Sequence, residues 1–414
     1  MSRWLRESLC YCSNVHPGAT LSAMLDNVRQ FVGPVQAQRQ CENAAAGLWI
    51  ANEALKALQS PVAREAFISC LLEQRLQLAT LNGFPYGDFH QEVVKQAVYE
   101  PAWDTVERLE YTVALAELVC TLPDSVVHAS EHGFPISTVP LGYRDAWNPT
   151  RQNAALHALI QLVKVLRRLE SESGRRVLLC LEMEPDCVLE STTELCHFFT
   201  EYLLPLARAE GLSDDCVLRY IGCCYDTCHQ AVMHENISES LGQIIETGIT
   251  IGKVQISNAL RCDVENEAQA RALLNTLSEP KFLHQVKIRQ ADGGITSLSD
   301  LDEHALLKSG WQNRFSSAQE WRIHFHVPIH AAAFPSAQLH TTQSAILETL
   351  NTLALHPSLK PCMEVETYTW HQVQAQKLEH ADTDAPFDLI QALVDELHWL
   401  ERELMQRGLL FAPE

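Results

Sequence analysis

Basic residues are in short supply. The chain of 414 residues carries 31 Lys and Arg against 52 Asp and Glu, a formal charge of −21. That balance disfavours a nucleic-acid backbone or an anionic membrane surface as partner and leaves a small molecule. No run of about eighteen apolar residues occurs, and the opening "MSRWLRESLCYCSNVHPG" has no long apolar core of the secretory kind. The expectation is a cytoplasmic protein without membrane insertion. Linker composition, low-complexity tracts and short-period repeats are also missing, and no glycine-rich phosphate fingerprint follows the first strand-like run, which disfavours a dinucleotide fold. Cysteine is not scarce, but the fourteen are scattered, many inside apolar runs such as "VLLCLEME" and "YIGCCYD". Reduced, mostly buried thiols follow from that placement. Cys223, Cys224 and Cys228 form a local cluster that lacks the matching second pair of a structural zinc site.

Short runs rich in branched residues alternate with segments of helical period, the pattern of a parallel sheet built from strand–helix units. The candidate strands are Leu9–Asn14, Gly47–Ala51, Leu76–Gly83, Pro135–Gly142, Arg176–Glu184, Arg219–Asp226, Lys253–Asn258 and Pro361–Thr367. With helices such as "DTVERLEYTVALAELVCTL" between them, these units predict one (β/α)₈ barrel domain over residues 1–414. A polar segment with an Asp-Gly-Gly turn, "HQVKIRQADGGITSLSDLDE", and the strand-like "WRIHFHVPIH" fall between the seventh and eighth strands. They predict an inserted hairpin with a His-bearing loop, residues 284–330, over the barrel mouth. The last helix, "FDLIQALVDELHWLERELMQRGLL", has the apolar spacing of a docked barrel helix.

Catalytic side chains of a barrel sit at the carboxyl ends of its strands. Glu184 ends the fifth candidate strand, Asp226 the sixth, Gln255 lies late in the seventh and Glu366 near the end of the eighth. Three carboxylates and an amide converging there repel one another unless a cation or shared protons neutralise them, which makes the set a candidate metal site. Period-two alternation puts Glu182, Lys253 and Glu364 one layer lower, as a buried charge-paired support. In "CYDTCHQAV", Asp226 suits a helix cap, while His229 lies where the chain turns toward the neighbouring loop. His324 and His326 alternate onto one face of "HFHVP", so His229, His324 and His326 form a second candidate metal set. The expected division is Asp226 in the acidic ring and His229 with the loop histidines. The remaining mouth segments supply substrate-binding candidates: His16, Asn82, His90, Lys95, Tyr143, His284, Gln285 and Tyr368, with Lys95 suited to a phosphate.

"DTCH" after the sixth strand, an H-x-H element after the seventh and "EVET" on the eighth are similar to the xylose-isomerase-like TIM barrels, the superfamily of endonuclease IV and the sugar epimerases. Over nearly the whole chain, "YCSNVHPG", "LNGFPYGDFHQEVVKQAVYEPAW", "ISTVPLGY", "LEMEPDCVLE", "YDTCHQAV", "FLHQV" and "HFHVP" resemble the EboE metabolite-traffic protein family. The resemblance implies a member of a small bacterial gene cluster that moves or makes a secondary-metabolite precursor, with other proteins of that cluster as partners. It also places Glu184, Asp226 and Glu366 at carboxylate ligand positions. Gln255 stands where the superfamily has a histidine, and His324 where it has an aspartate.

These residues together suggest an isomerase or epimerase of a small polyhydroxylated metabolite (a sugar, a cyclitol or its phosphate) that depends on a divalent metal, Zn, Mn or Mg. Glu184 and Glu366 are its candidate proton carriers. Two alternatives are a non-catalytic carrier on a degenerate isomerase barrel, made credible by Gln255, and a metal-dependent phosphoesterase.

Overall fold

The computed structural model describes residues 3–128, 130–302, 319–334, 339–375 and 387–411. Among the described residues, eight parallel strands form the barrel: β1 Cys10–Tyr11, β2 Ala44–Trp49, β3 Leu76–Asn82, β4 Phe134–Thr138, β5 Val177–Glu182, β6 Ile221–Asp226, β7 Ile251–Ile256 and, last in the chain, β14 Cys362–Val365. They pair in chain order, β14 lies between β7 and β1, and a parallel bridge from Cys12 to Gly47 closes the ring. The expected (β/α)₈ barrel is the fold. Both strand faces are buried because helices wrap the outside, so the strands read as nearly continuous apolar runs.

Local signals set the helix ends. Asn148 caps the helix Pro149–Ser173 through its side chain, Pro149 opens it, and Gly174 stops it at φ 75°. The last helix, Leu389–Gln406, docks Leu393, Leu397, Leu400 and Leu404 on the barrel and buries Glu396 and Glu401. Both acids are satisfied: Arg39 Nη2 donates to Glu401 at 2.7 Å, and Trp370 Nε1 to Glu396 at 2.9 Å.

The insertion between the seventh and eighth barrel strands is larger than the hairpin expected at 284–330, of which 303–318 lie outside the described residues. Among the described residues it is a six-stranded antiparallel sheet: β8 Asn258–Val264, β9 Val286–Arg289, β10 Ile295–Leu298, β11 Gln319–Val327, β12 Ala333–Phe334 and β13 Leu339–Thr341, in the order β10-β9-β11-β8-β13-β12. The Asp-Gly-Gly turn joins β9 to β10 as expected. The extra strand, β8, is separated from the end of β7 by the single residue Ser257. It buries Leu260, Cys262 and Val264 while Arg261 and Asp263 point outward, so the start of this period-two strand reads in the sequence as the end of its neighbour. Leu260, Ile288, Trp321, Ile323 and Phe325 give the sheet its own apolar core.

Inside the barrel, below the mouth, Lys253 Nζ lies 2.7 Å from Glu364, both fully buried, and donates to Ser137 Oγ at 3.1 Å. Gly47 leaves the room they need, because a Cβ there would overlap Glu364 Oε1. All fourteen cysteines are free thiols and most are buried. No helix among the described residues is long and apolar enough to cross a membrane.

Candidate functional site

Three imidazoles meet at the mouth. His229 comes from the first turn after β6, and His324 and His326 from one face of β11, laid over the barrel by the inserted sheet. Their Nε2 atoms are 3.1 Å (His229–His324), 3.1 Å (His324–His326) and 3.4 Å (His229–His326) apart. Each ring's other nitrogen is already engaged: Nδ1 of His229 with Met183 O at 2.8 Å, of His326 with Glu366 O at 2.9 Å, and of His324 with Gln285 Oε1 at 2.7 Å. A carbonyl oxygen only accepts, so those Nδ1 atoms carry the protons. Gln285 is fixed the same way, since its Nε2 faces Pro185 O at 3.2 Å and its Oε1 must face His324. Burial lowers His324 well below the usual imidazole range and His326 to about 4, which keeps these two rings neutral. The three Nε2 lone pairs therefore point at one another, an arrangement that a cation relieves. Nitrogens on a tetrahedron with zinc bonds of about 2.0–2.1 Å lie about 3.3–3.4 Å apart, close to the separations found.

Beside the imidazoles lies a carboxylate group. Glu182, Asp226 and Glu366 bring oxygens within 4.8 Å of one another. Among the described residues nothing hydrogen-bonds Glu182 Oε2 or Asp226 Oδ2, although both are buried. Burial and then the neighbouring Glu366 and Asp226 charges push Glu182 well above the usual carboxylate range; burial and then Asp226 do the same to Glu366. Orphaned buried oxygens and repelling carboxylates fit a second divalent cation, or shared protons. Asp226 is both cap and site: Oδ1 accepts from His229 N at 2.9 Å and Ser257 Oγ at 2.6 Å, while Oδ2 is left without a hydrogen bond among the described residues. Its reach extends to His229 and His326, so the expected division into two separate centres is not what the geometry gives; the two adjoin through Asp226.

The expected ring differs in two members. Glu182, not Glu184, is the β5 carboxylate that meets Asp226 and Glu366, because the strand ends at Glu182 and the chain turns, with Glu184 N donating to Leu189 O at 3.1 Å. Glu184 instead lies by His229 and His324. It accepts from the Tyr99 hydroxyl at 2.6 Å, and burial raises it to about 7 against the lowering effects of His229 and Tyr99. Gln255 turns its Oε1 to Cys224 Sγ, 3.0 Å away, and does not line the recess.

The recess encloses about 50 Å³ and opens to solvent at the mouth. Of the substrate-binding candidates, Asn82, Lys95 and Tyr368 line it. Asn82 Nδ2 donates to Glu366 Oε1 at 3.0 Å, and Asn14, from just after β1, donates to the same oxygen at 2.8 Å. The other candidates lie elsewhere. His16 is buried against Phe31, its ring 4.2 Å away, and Tyr11. His90 donates to Asn14 O at 2.7 Å, and Tyr143 packs on Tyr99. His284 lies between His324 O and Glu279, and Gln285 orients His324 rather than facing the recess. Asn14 and Tyr99 escape the sequence reading. Asn14 sits at the very strand-end position that marked the other residues, whereas Tyr99, in the long loop after β3, has no local signal.

No family model and no curated protein matches the sequence. Solved structures to which the chain is similar include a xylose isomerase-like TIM barrel protein from Mycobacterium smegmatis in complex with magnesium, at 11% identity over 96% of this chain and 99% of that one, with a TM-score of 0.46. An IOLI protein with a bound zinc atom has 11% identity over 96% and 98% of the two chains, with a TM-score of 0.45. An L-ribulose 3-epimerase has 10% identity over 98% and 96%, with a TM-score of 0.48.

Proposed function

We propose that the chain is a metal-dependent isomerase or epimerase of a small polyhydroxylated metabolite. The observation that carries this reading is the convergence of three Nε2 atoms within 3.4 Å while every Nδ1 is engaged elsewhere. His229, His324 and His326 would hold zinc, and the all-oxygen group Glu182, Asp226 and Glu366 suits magnesium or manganese. When bound, such an ion supplies polarisation of a substrate carbonyl and its neighbouring hydroxyl. The chain's own residues do the rest. Glu184, which accepts from Tyr99, would take a carbon-bound proton and return it, with Glu366 as the second proton carrier. Asn14 and Asn82 hold Glu366 in position, and aromatic side chains over the mouth exclude water. The setting that goes with this reading is the cytoplasm and the gene-cluster partners of the EboE-like resemblance.

A carrier without chemistry is the second reading, favoured by Gln255, whose amide turns to Cys224 instead of the site. One experiment separates them: metal analysis of purified protein, followed by incubation with sugars and cyclitols in deuterated water. Exchange at carbon supports the isomerase, and binding without exchange supports the carrier.

A further inference from the structure

Three rings from three separate segments form a wall beside the imidazoles. Phe89 from the loop after β3, Phe282 from the insertion and Tyr368 from just past β14 lie with centroids 5.0 Å, 5.3 Å and 5.1 Å apart, and Tyr368 is 4.6 Å from the His326 ring. Phe84, Val94 and Leu283 extend the apolar lining. A ligand made only of hydroxyls would bury several of them against this wall without partners, at a cost for each.

The charges are equally one-sided. Among the described residues Lys95 is the single cation lining the recess, and its ammonium is engaged by Asp300 Oδ2 at 2.5 Å and Glu279 O at 3.1 Å. Lys281, at the rim, points to His90 Nδ1 at 3.1 Å and lies 4.9 Å from the Phe282 ring. A phosphate entering here meets Glu182, Glu184 and Glu366. Glu184 and Asp226 adjoin the imidazoles and Glu182, Asp226 and Glu366 form the acidic group, so the four carboxylates offset an ion at each position and leave no positive charge over for a phosphate.

We propose that the ligand of this site is an unphosphorylated polyol that carries an apolar group opposite its paired oxygens. This substrate class rests on the proposed function for the role of the oxygens, and on the aromatic wall and the charge census for the rest. Three probes test it: 1-phenylethane-1,2-diol, glycerol and glycerol 1-phosphate, titrated calorimetrically into the full-length protein, with metal content measured on the same sample. The expected order has the phenyl diol at least about tenfold tighter than glycerol, as burial of a phenyl group implies, and the phosphate weakest. Phe89→Ser should bring the first ratio toward one and leave the phosphate last. The inference is overturned if the phosphate binds tightest, if the phenyl diol binds no tighter than glycerol, or if none of the three binds. A metal-free sample that still prefers the phenyl diol would sink the metal reading and leave this one standing.

Discussion

His229 and His324 hold their Nε2 atoms 3.1 Å apart with both Nδ1 atoms engaged by oxygen acceptors. Two neutral imidazoles in that arrangement repel, and the fold maintains it at the junction of the barrel and its inserted sheet. If an ion relieves the repulsion, its loss should be felt by the whole chain. Stripping with a chelator should lower the melting temperature by several degrees, since an ion at 100 times its Kd stabilises by about 2.7 kcal/mol. Zinc should restore it and His324→Ala should abolish the zinc response, whereas a response to manganese would report on Glu182, Asp226 and Glu366. A melting temperature indifferent to both treatments would remove the ion from the account.

Gln285 offers a finer test, because it holds His324 Nδ1 from behind the imidazole group and meets Glu184 by way of Tyr99, away from the imidazoles' Nε2 atoms. Gln285→Leu removes the acceptor that fixes the His324 tautomer, and loss of such an outer contact typically lowers metal affinity about 10–100-fold. Gln285→Glu keeps an acceptor and should retain most of it. Competition with a chelating dye reads both. Equal affinity in the Leu variant and the parent protein would mean that the orientation of His324 does not matter.

How much of this was legible beforehand follows from where each signal lies. Strand-end residues Asp226 and Glu366 and the paired His324 and His326 stand out because sequence position in a barrel translates directly into position at the mouth. Glu182 and Glu184 are distinguished only by where β5 ends, and boundaries of one or two residues are the weakest part of any pattern. The six-stranded sheet reads in the sequence as a hairpin because β8 follows β7 with one residue between them. By sequence position alone, Gln285 and His284 are candidates to face a ligand. What their neighbours in sequence do not reveal is the register of β9 and β11, which turns Gln285 toward His324 and His284 toward Phe325.

Below the site, Lys253 and Glu364 form a fully buried pair at 2.7 Å. Removing one partner leaves an uncompensated charge in the barrel, so Lys253→Met should destabilise by about 3–5 kcal/mol. The double change Lys253→Met with Glu364→Leu should recover most of that loss. Urea unfolding of the two variants gives the comparison, and a double variant as unstable as the single one would show that the pair is not the origin of the cost.

Lys95 and Asp300 join the loop after β3 to the insertion, side by side with backbone bonds from Val94 N and Lys95 N to Lys281 O at 2.8 Å and 3.0 Å. The ion pair is partly exposed, so Asp300→Asn should change global stability by less than about 1 kcal/mol. Its effect should be local. Hydrogen exchange at the Val94 and Lys95 amides should quicken while barrel amides keep their protection, and uniform change across the chain would argue against a local role for the pair.

His16 provides a prediction about acid. Burial, with smaller effects of His90 and His371, lowers it from 6.5 to about 3, and its Nε2 lies 2.9 Å from the Tyr11 hydroxyl. In the unfolded chain the imidazole takes up a proton as pH falls through about 6.5, whereas in the folded chain it stays neutral down to about 3. The unfolded state therefore binds the extra proton across that window, and stability is lost there at about 1.4 kcal/mol per pH unit for this one group. His16→Gln cannot take up that proton. The variant should be less stable than the parent at pH 7, where it lacks the stacking on Phe31, and the gap should close as the pH is lowered from 7 to 4.5. Other buried histidines titrate equally in both proteins and cancel from the difference. Urea unfolding at half-unit steps of pH measures it, and a gap that stays constant across the window would mean that His16 is not held neutral by the fold.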